Sequence, residues 1–406
     1  MIASARAIFE SRHAEELGVE IPQVLPKWSR ILAHKDEVVE TLRSRMEHSV
    51  DQSPIDFYHG QAIARSPNDV RIQLPSSEER LITRNLVLAT GARPIELTHV
   101  PFDGKTVLSS DQVLDLNTVP PRLVIVGGGF IGCEIACVYT MVGSHVTLVE
   151  AQPQLLSQFD PWVGHTMKTH LEDLGITVIT DTQVTGIIKN DLIPMVSLAD
   201  QRTLPAEKIL VTAGRQPVCD SNMRRALSLT PAGQAITVNS TLQTCTPNVY
   251  ALGDVVGHSF LAHQATVEAD IAAANLTGRV HGMVNETAIP KVVYTIPEVL
   301  SVGTTLAGCR AQDIPVTVGQ AEFRNNGRAR IQKKTMGQVQ MLVDAQHRVL
   351  GITLIGPGVS EMAALAGALL YRPDPFAHVV IPYPSYAETL IDAWEHACQQ
   401  IPHIPE

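Results

Sequence analysis

A chain of 406 residues, 45% of them apolar, is long enough for two or three domains with substantial buried cores. Its formal net charge of −10, with no block of Lys or Arg, argues against a phosphate-neutralising surface, so nucleic acid is not an expected partner. No apolar run reaches the roughly twenty residues of a membrane-spanning helix, and residues 1–9 lack the basic segment and apolar core of a secretory signal, which predicts a cytoplasmic globular protein with no membrane partner.

Residues 1 to about 50 are predicted helical, in two helices separated by a loop between Gly18 and Pro26. Short extended segments follow over 55–90, among them 70–74 and 86–89, the latter running into Thr90-Gly91-Ala92. Strand and helix then alternate over 121–215 in the manner of a mostly parallel α/β sheet, ending in a strand at 209–213 before Gly214-Arg215-Gln216-Pro217. A further apolar strand at 249–252 meets Gly253-Asp254, and 261–276 is predicted helical. From about 283 the character becomes α+β: 337–344 and 348–355 form a hairpin around Ala345-Gln346-His347, followed by a helix over 360–370.

The strongest motif lies inside the α/β stretch. An apolar run at 123–126 leads into Gly127-Gly128-Gly129-Phe130-Ile131-Gly132 and a helical segment that ends near Gly143. A second strand, 146–149, stops at Glu150, eighteen residues beyond Gly132. A lone G-x-G-x-x-G is weak, but strand, helix and acid in this order predict a dinucleotide site. The first glycine permits the tight turn, the second lets backbone approach the pyrophosphate, and the third lets helix pack on strand. Glu150 can accept both hydroxyls of an adenosine ribose, and its charge predicts NAD over NADP.

Six cysteines, at 133, 137, 219, 245, 309 and 398, show neither paired metal-ligand spacing nor a disulfide framework, so no metal is expected. Cys133 and Cys137 share one face of the helix after the glycine turn, a placement that favours core packing over redox chemistry.

These pieces in this order resemble the flavin-dependent pyridine nucleotide-disulfide oxidoreductases, over nearly the whole chain. The specific marks are Ala89-Thr90-Gly91, the glycine turn with Glu134, Ala213-Gly214-Arg215, the run from Thr246 through Asn248 to Gly253-Asp254, and Tyr294-Thr295-Ile296-Pro297-Glu298. The resemblance implies an α/β chain with two Rossmann-like nucleotide-binding domains and a C-terminal α+β dimerisation domain. Its boundaries would be 1–112 with 238–282 for FAD, 113–237 for NAD(P), and 283–406 for homodimerisation. It implies FAD with Asp254 at the ribityl chain, Phe260, Leu261, Ala262 and His263 along the isoalloxazine, and Gly60, Thr90, Gly91 and Ala92 close to the cofactor. Val184 and Gly214 would flank the nicotinamide nucleotide, and Phe130 would stand as an aromatic gate over the flavin ring. Taken singly, Gly253-Asp254 also fits a plain turn, Phe260 a core residue and His263 an ordinary partly buried histidine.

The chain also departs from that pattern. The family opens with a strand and its own G-x-G-x-x-G for the ADP half of FAD, then a C-x-x-x-x-C redox pair; here the first helix comes first and no cysteine precedes Cys133. The first nucleotide domain is therefore expected to lack its N-terminal strand, and thiol-disulfide exchange has no carrier in these residues. Near the C-terminus a His-Pro motif is replaced by Tyr383-Pro384, with Glu388 in the position of the acid partner. A tyrosine of pKa about 10 does not shuttle a proton near neutrality as histidine does. Tyr383 and the passages 294–303 and 319–331 look most like the soluble transhydrogenases, whereas Glu150 and 261–265 look more like dihydrolipoyl dehydrogenase. The expectation is an FAD-dependent NAD(P)H oxidoreductase passing hydride from nicotinamide to flavin and on to a second acceptor. Two alternatives stay open: a dihydrolipoyl dehydrogenase or mercuric reductase relative with thiols in an upstream segment, and an inactive NAD-binding, dimerising remnant.

Overall fold

The structure, a computed structural model, describes residues 1–188, 193–229, 233–279, 285–372 and 374–401. It divides into two compact units, one of residues 1–32, 96–213 and 286–406, the other of residues 33–95 and 214–285. The expected boundary at 282/283 lies outside the described residues.

In the first unit a five-stranded parallel sheet runs in the order Val107–Leu108, Lys208–Val211, Arg122–Val126, His145–Val149, Thr177–Ile179. The apolar run Leu123-Val124-Ile125 is buried on both faces, as a central parallel strand requires. Helix Phe130–Met141 covers one face with Cys133, Ala136, Cys137 and Tyr139, all fully buried, which fits the packing role expected of the two thiols. Helix Pro161–Asp173 contributes Val163, Met167 and Leu171 to the same core. The N-terminal helix Ile2–Arg12 adds Ala5 and Ile8, and its Arg6 reaches the buried Glu298 carboxylate at 2.5 Å while the Ser360 N–H donates to the other oxygen at 3.0 Å. Between the last two parallel strands of the sequence lies an antiparallel meander, Val184–Ile188, Met195–Leu198 and Thr203–Pro205, which the strand-helix alternation did not announce.

The same unit carries a five-stranded antiparallel sheet in the order Lys291–Val293, Glu298–Gly303, Val349–Gly356, Gln338–Val343, Thr317–Glu322. The expected hairpin is its Gln338–Val343 and Val349–Gly356 pair. Helix Glu388–Cys398 lies across the strands Thr317–Glu322 and Gln338–Val343, so close that a side chain at Gly319 would overlap the Ala393 carbonyl. The helix expected over 360–370 is a 3-10 turn, Val359–Met362, continued by Ala363–Leu369.

The second unit holds a three-stranded antiparallel sheet, Gln61–Ser66, Asp69–Gln73 and Glu78–Ile82, and two short pairs. Leu86–Leu88 runs parallel to Val249–Ala251, and Ala92–Pro94 antiparallel to Arg215–Pro217. Ala64, Ile72, Leu88, Leu227, Val249 and Val255 form its core, and helix Ala262–Leu276 follows the turn at Gly253. The two helices expected over the first fifty residues are Ile2–Arg12 and Trp28–Asp51.

Candidate functional site

The glycine turn joins strand Arg122–Val126 to helix Phe130–Met141. Gly127 has φ +112°, a region L side chains avoid, and a Cβ there would stand 2.5 Å from the Thr212 carbonyl oxygen. A Cβ on Gly132 would overlap the Gly127 carbonyl oxygen, and one on Gly128 would overlap Leu155. Two of the three glycines of the motif, Gly127 and Gly132, are thus enforced by backbone contact. Gly129, by contrast, has open space beside it and caps the helix with no side-chain acceptor of its own, leaving the helix N-terminus available to an anion. Ile131 and Phe130 are half-buried against the core, and the Phe130 ring stacks on Phe159 at 5.3 Å.

Glu150 folds back over this turn. Its Oε2 accepts the Gly128 N–H at 2.6 Å and its Oε1 accepts the Gln152 N–H at 2.7 Å. A carboxylate offers about four lone-pair directions, so two stay available for a pair of ribose hydroxyls. Val184 opens its strand buried beside Val126, Val149 and Ile179. Glu134, one turn into the helix, is turned elsewhere: its carboxylate accepts the Tyr294 N–H at 2.8 Å, and burial pushes its pKa up, with that hydrogen bond opposing. Burial likewise raises both helix thiols, Cys137 to about 12, so neither is a thiolate near neutrality.

The second unit gathers the residues expected near flavin. The Thr90 hydroxyl donates to the Val218 carbonyl, the Val218 N–H donates to Gly91 O at 2.9 Å, and Ile95 N–H donates to Gly214 O at 3.0 Å. Arg215 bridges them: its guanidinium donates to Ala92 O at 2.8 Å and lies 3.9 Å from the Asp254 carboxylate. Gly91 (φ +73°) has open space where a Cβ would be, and Gly253 (φ +70°) ends the strand Val249–Ala251. Helix Ala262–Leu276 starts directly after Phe260 and Leu261, with His263 exposed in its first turn and Phe260 half-buried at φ +56°. A carboxylate at a strand end, a glycine open to backbone approach and a following helix N-terminus together fit the hydroxyls and polar ring of FAD. Gly60 has a packing reason of its own, since a Cβ there would stand 2.5 Å from the Gln73 carbonyl oxygen.

Sequence reasoning missed Glu268. Its carboxylate, 1% exposed, accepts the Gly253 N–H at 2.6 Å and the Gln264 side-chain N–H at 2.9 Å, and lies 3.0 Å from His258 Nδ1. It ties both ends of the 253–264 loop, yet nothing in the local sequence distinguishes it from any other helical glutamate. In the first unit, Tyr383 is 83% exposed, and Glu388 accepts the Ser385 N–H at 2.8 Å as the first residue of its helix. Among the described residues no three His, Cys, Asp or Glu side chains are grouped to hold a metal, and no helix is long and apolar enough to cross a membrane.

Comparison with known proteins agrees with this geometry. Residues 3–269 match the pyridine nucleotide-disulphide oxidoreductase profile, and residues 289–394 match the dimerisation domain of the same proteins. A dihydrolipoyl dehydrogenase of Bacillus subtilis is 31% identical over 97% of this chain and 87% of its own length, and one of Geobacillus stearothermophilus is 29% identical over 100% and 87%. Among solved structures, LpdA from Mycobacterium tuberculosis superposes with a TM-score of 0.89 at 22% identity, covering 97% of this chain and 88% of that one. The Cu(II) complex of the HOCl-induced flavoprotein disulfide reductase RclA from Escherichia coli gives 0.83 at 25% identity, over 96% and 88%. With both of its matched domains and these relatives, the chain belongs to the pyridine nucleotide-disulphide oxidoreductases, FAD-dependent NAD(P)H oxidoreductases with a C-terminal dimerisation domain.

Proposed function

We propose that this chain is a transhydrogenase-like member of its family that moves reducing equivalents from NADH through FAD to a second nicotinamide or other acceptor. The observation that carries the reading is a complete glycine turn with Glu150 in place, together with a tyrosine, Tyr383, where a proton-shuttling histidine would be needed. Bound FAD supplies the two-electron acceptor chemistry. The chain's own part is orientation: the Gly127–Gly132 turn and helix N-terminus hold the pyrophosphate, Glu150 the adenosine ribose, and Val184 and Gly214 flank the nicotinamide dinucleotide. Thr90, Gly91, Ala92, Asp254 and the segment from Phe260 to His263 hold the flavin, and Phe130 shields its ring. Such chemistry needs positioning and exclusion of water, with no thiol.

In this reading residues 1–112 with 238–282 hold FAD, 113–237 hold NAD, and 283–406 form a two-fold homodimer interface. The charge of Glu150 favours NAD over NADP, since a 2′-phosphate there would face a carboxylate. The deciding experiment is anaerobic: protein supplemented with FAD is given NADH, and the loss of flavin absorbance is followed, then its return on adding an oxidised nicotinamide analogue. Reduction and reoxidation without any added dithiol support the proposal. Flavin that NADH cannot reduce would sink it.

A second reading draws on the relatives named dihydrolipoyl dehydrogenase, which align over 97% and 100% of the chain. A redox thiol pair contributed from outside these 406 residues would place the protein with them. Lipoamide-dependent NADH oxidation by the same preparation would favour that reading over ours.

A further inference from the structure

Helix Pro161–Asp173 meets the C-terminal antiparallel sheet along one face, and the contact is uneven. Trp162, Thr166 and His170 stand four residues apart and so share that face. At one end Trp162 Nε1 donates to the side-chain oxygen of the buried Gln340 at 3.0 Å. Two residues back on the same strand lies Gln338, with Glu322 opposite it in register. Here the surfaces part, leaving a cleft of about 380 Å³ whose walls include Thr166, His170, Glu322, Arg324, Met336 and Gln338.

His170 is an anomaly in this wall. The residue is half-buried, yet Nδ1 and Nε2 are both closed off from solvent and meet no hydrogen-bond partner. What the side chain shows to the cleft is therefore carbon. A buried polar group left unpaired destabilises the state that contains it, and a half-turn about χ2 relieves it, because that turn exchanges Nδ1 with Cδ2 and Nε2 with Cε1. We infer that His170 is a proton-driven toggle of this cleft: neutral with its nitrogens turned inward and, on taking up a proton from solvent, turned outward to pair with the Glu322 carboxylate.

The surrounding charges support this direction. Burial pushes the His170 pKa below the usual histidine range, and Asp173 on the same helix opposes without cancelling the shift, so the inward ring is neutral near pH 7. On the facing strands the charged groups are Glu322 and Arg324, joined through Arg324 Nη2 and Glu322 Oε1 at 2.6 Å. Residues 335–338 carry no charge, and neither does strand Thr177–Ile179, which also packs on the helix. A carboxylate offers about four lone-pair directions, so Glu322 accepts from an imidazolium while keeping Arg324. The inward ring by itself makes acid costly: a histidine whose folded pKa lies below its unfolded one contributes fully above the unfolded value and loses that contribution as pH falls through the folded one. Turning outward limits the loss. It also adds a tie between helix and sheet at the end that the Trp162–Gln340 bond does not reach, so mild acid tightens this contact.

Histidine C2-proton exchange, read by mass spectrometry across a pH series, gives the titration midpoint of His170 in the 406-residue protein and in two variants, Glu322→Gln and Arg324→Gln. Both substitutions fall on side chains that solvent already reaches. Opposite shifts are expected. The midpoint falls in Glu322→Gln, where only a guanidinium is left to face the ring, and rises in Arg324→Gln, where the carboxylate is no longer shared. Crystals grown at about pH 7.5 and about pH 5 distinguish the toggle from a charge sensed at a distance: an imidazole nitrogen within hydrogen-bond distance of Glu322 is expected only in the acidic form. Midpoints unchanged in both variants, shifts of the same sign, or an imidazole still unpaired in the acidic crystals would each overturn the inference.

Discussion

The strand Arg122–Val126 in one unit and the strand Leu86–Leu88 in the other both run from apolar residues into a glycine turn, yet their settings differ. The first has parallel partners on both sides and is buried throughout its apolar run. The second pairs, among the described residues, with Val249–Ala251 alone, and its middle residue Val87 is 39% exposed. The turns differ in the same sense. Side chains at Gly127 and Gly132 would strike backbone, whereas one at Gly91 would meet open space. A short apolar run before a glycine therefore marks a strand in both places, but neighbours on each side turn one of them into a rigid cradle. The turn at Gly127 is enforced by backbone contact, and the turn at Gly91 is tied down by the Thr90 hydroxyl on Val218 O, the Val218 N–H on Gly91 O and the Arg215 guanidinium on Ala92 O.

Hydrogen exchange reads this contrast directly and should show its largest effect. Backbone amides of 123–126 and 147–149 are expected to open only with their whole sheet, those of 86–88 by local fluctuation, a gap of about 3 kcal/mol in opening free energy. Mass-spectrometric exchange at neutral pH, with peptides covering both strands, measures it. Equal protection would erase the difference drawn between the two regions.

A substitution within the cradle sharpens the comparison. Gly132→Ala drives a methyl group into the Gly127 carbonyl, with the strand and Thr212 behind it, and is expected to cost about 3 kcal/mol of stability together with NADH binding. Gly129→Ala, three residues earlier in the same motif, meets nothing within 4 Å and has φ −79°, so its stability should stay within about 0.5 kcal/mol of the parent. Thermal melting of both variants, with NADH fluorescence for Gly132→Ala, decides it. Similar losses in the two would mean that the turn is not organised by close approach.

Much of this architecture could be read along the chain, because the features concerned are local. The two N-terminal helices with their loop at Gly18, the glycine turn with Glu150, and the hairpin around Ala345-Gln346-His347 each announce themselves within a short window of periodicity and turn residues. What stayed hidden is contact between distant segments. The acceptor role of Glu134 toward Tyr294 spans 160 residues, and the Asp160 carboxylate takes the Leu306 and Ala307 N–H groups across a similar separation. Glu268 and Arg215 organise the loops at Gly253 and Ala92 through bonds that no spacing rule encodes. Gly60 reads as a cofactor contact by the resemblance, although its close approach to Gln73 gives it a backbone reason to be glycine. Local pattern thus locates the places where a ligand would sit; the side chains that hold those places still are found only in three dimensions.

The smallest expected effect concerns Glu134, the buried carboxylate on the helix Phe130–Met141. Burial raises the Glu134 pKa above the ordinary carboxyl value of 4.5, and the Tyr294 N–H only partly opposes the shift. A carboxyl with a folded pKa above its unfolded one remains protonated in the folded chain at pH values where the unfolded chain has already ionised. Folding stability is accordingly highest, for this group, below the unfolded value, falls as pH rises from there through the folded pKa, and stays at the lower level above both. Glutamine at this position keeps a carbonyl oxygen for the Tyr294 N–H and never ionises. Glu134→Gln is therefore expected to melt slightly higher than the parent at pH 7, by about 2 °C or less, with the difference closing toward pH 4. Melting curves of the two proteins between those pH values test the sign. A variant that is less stable at pH 7, with the gap widening as pH rises, would mean that the Glu134 charge is stabilised in the fold rather than merely tolerated, and the helix of the nucleotide turn would then owe part of its placement to an ionised carboxylate.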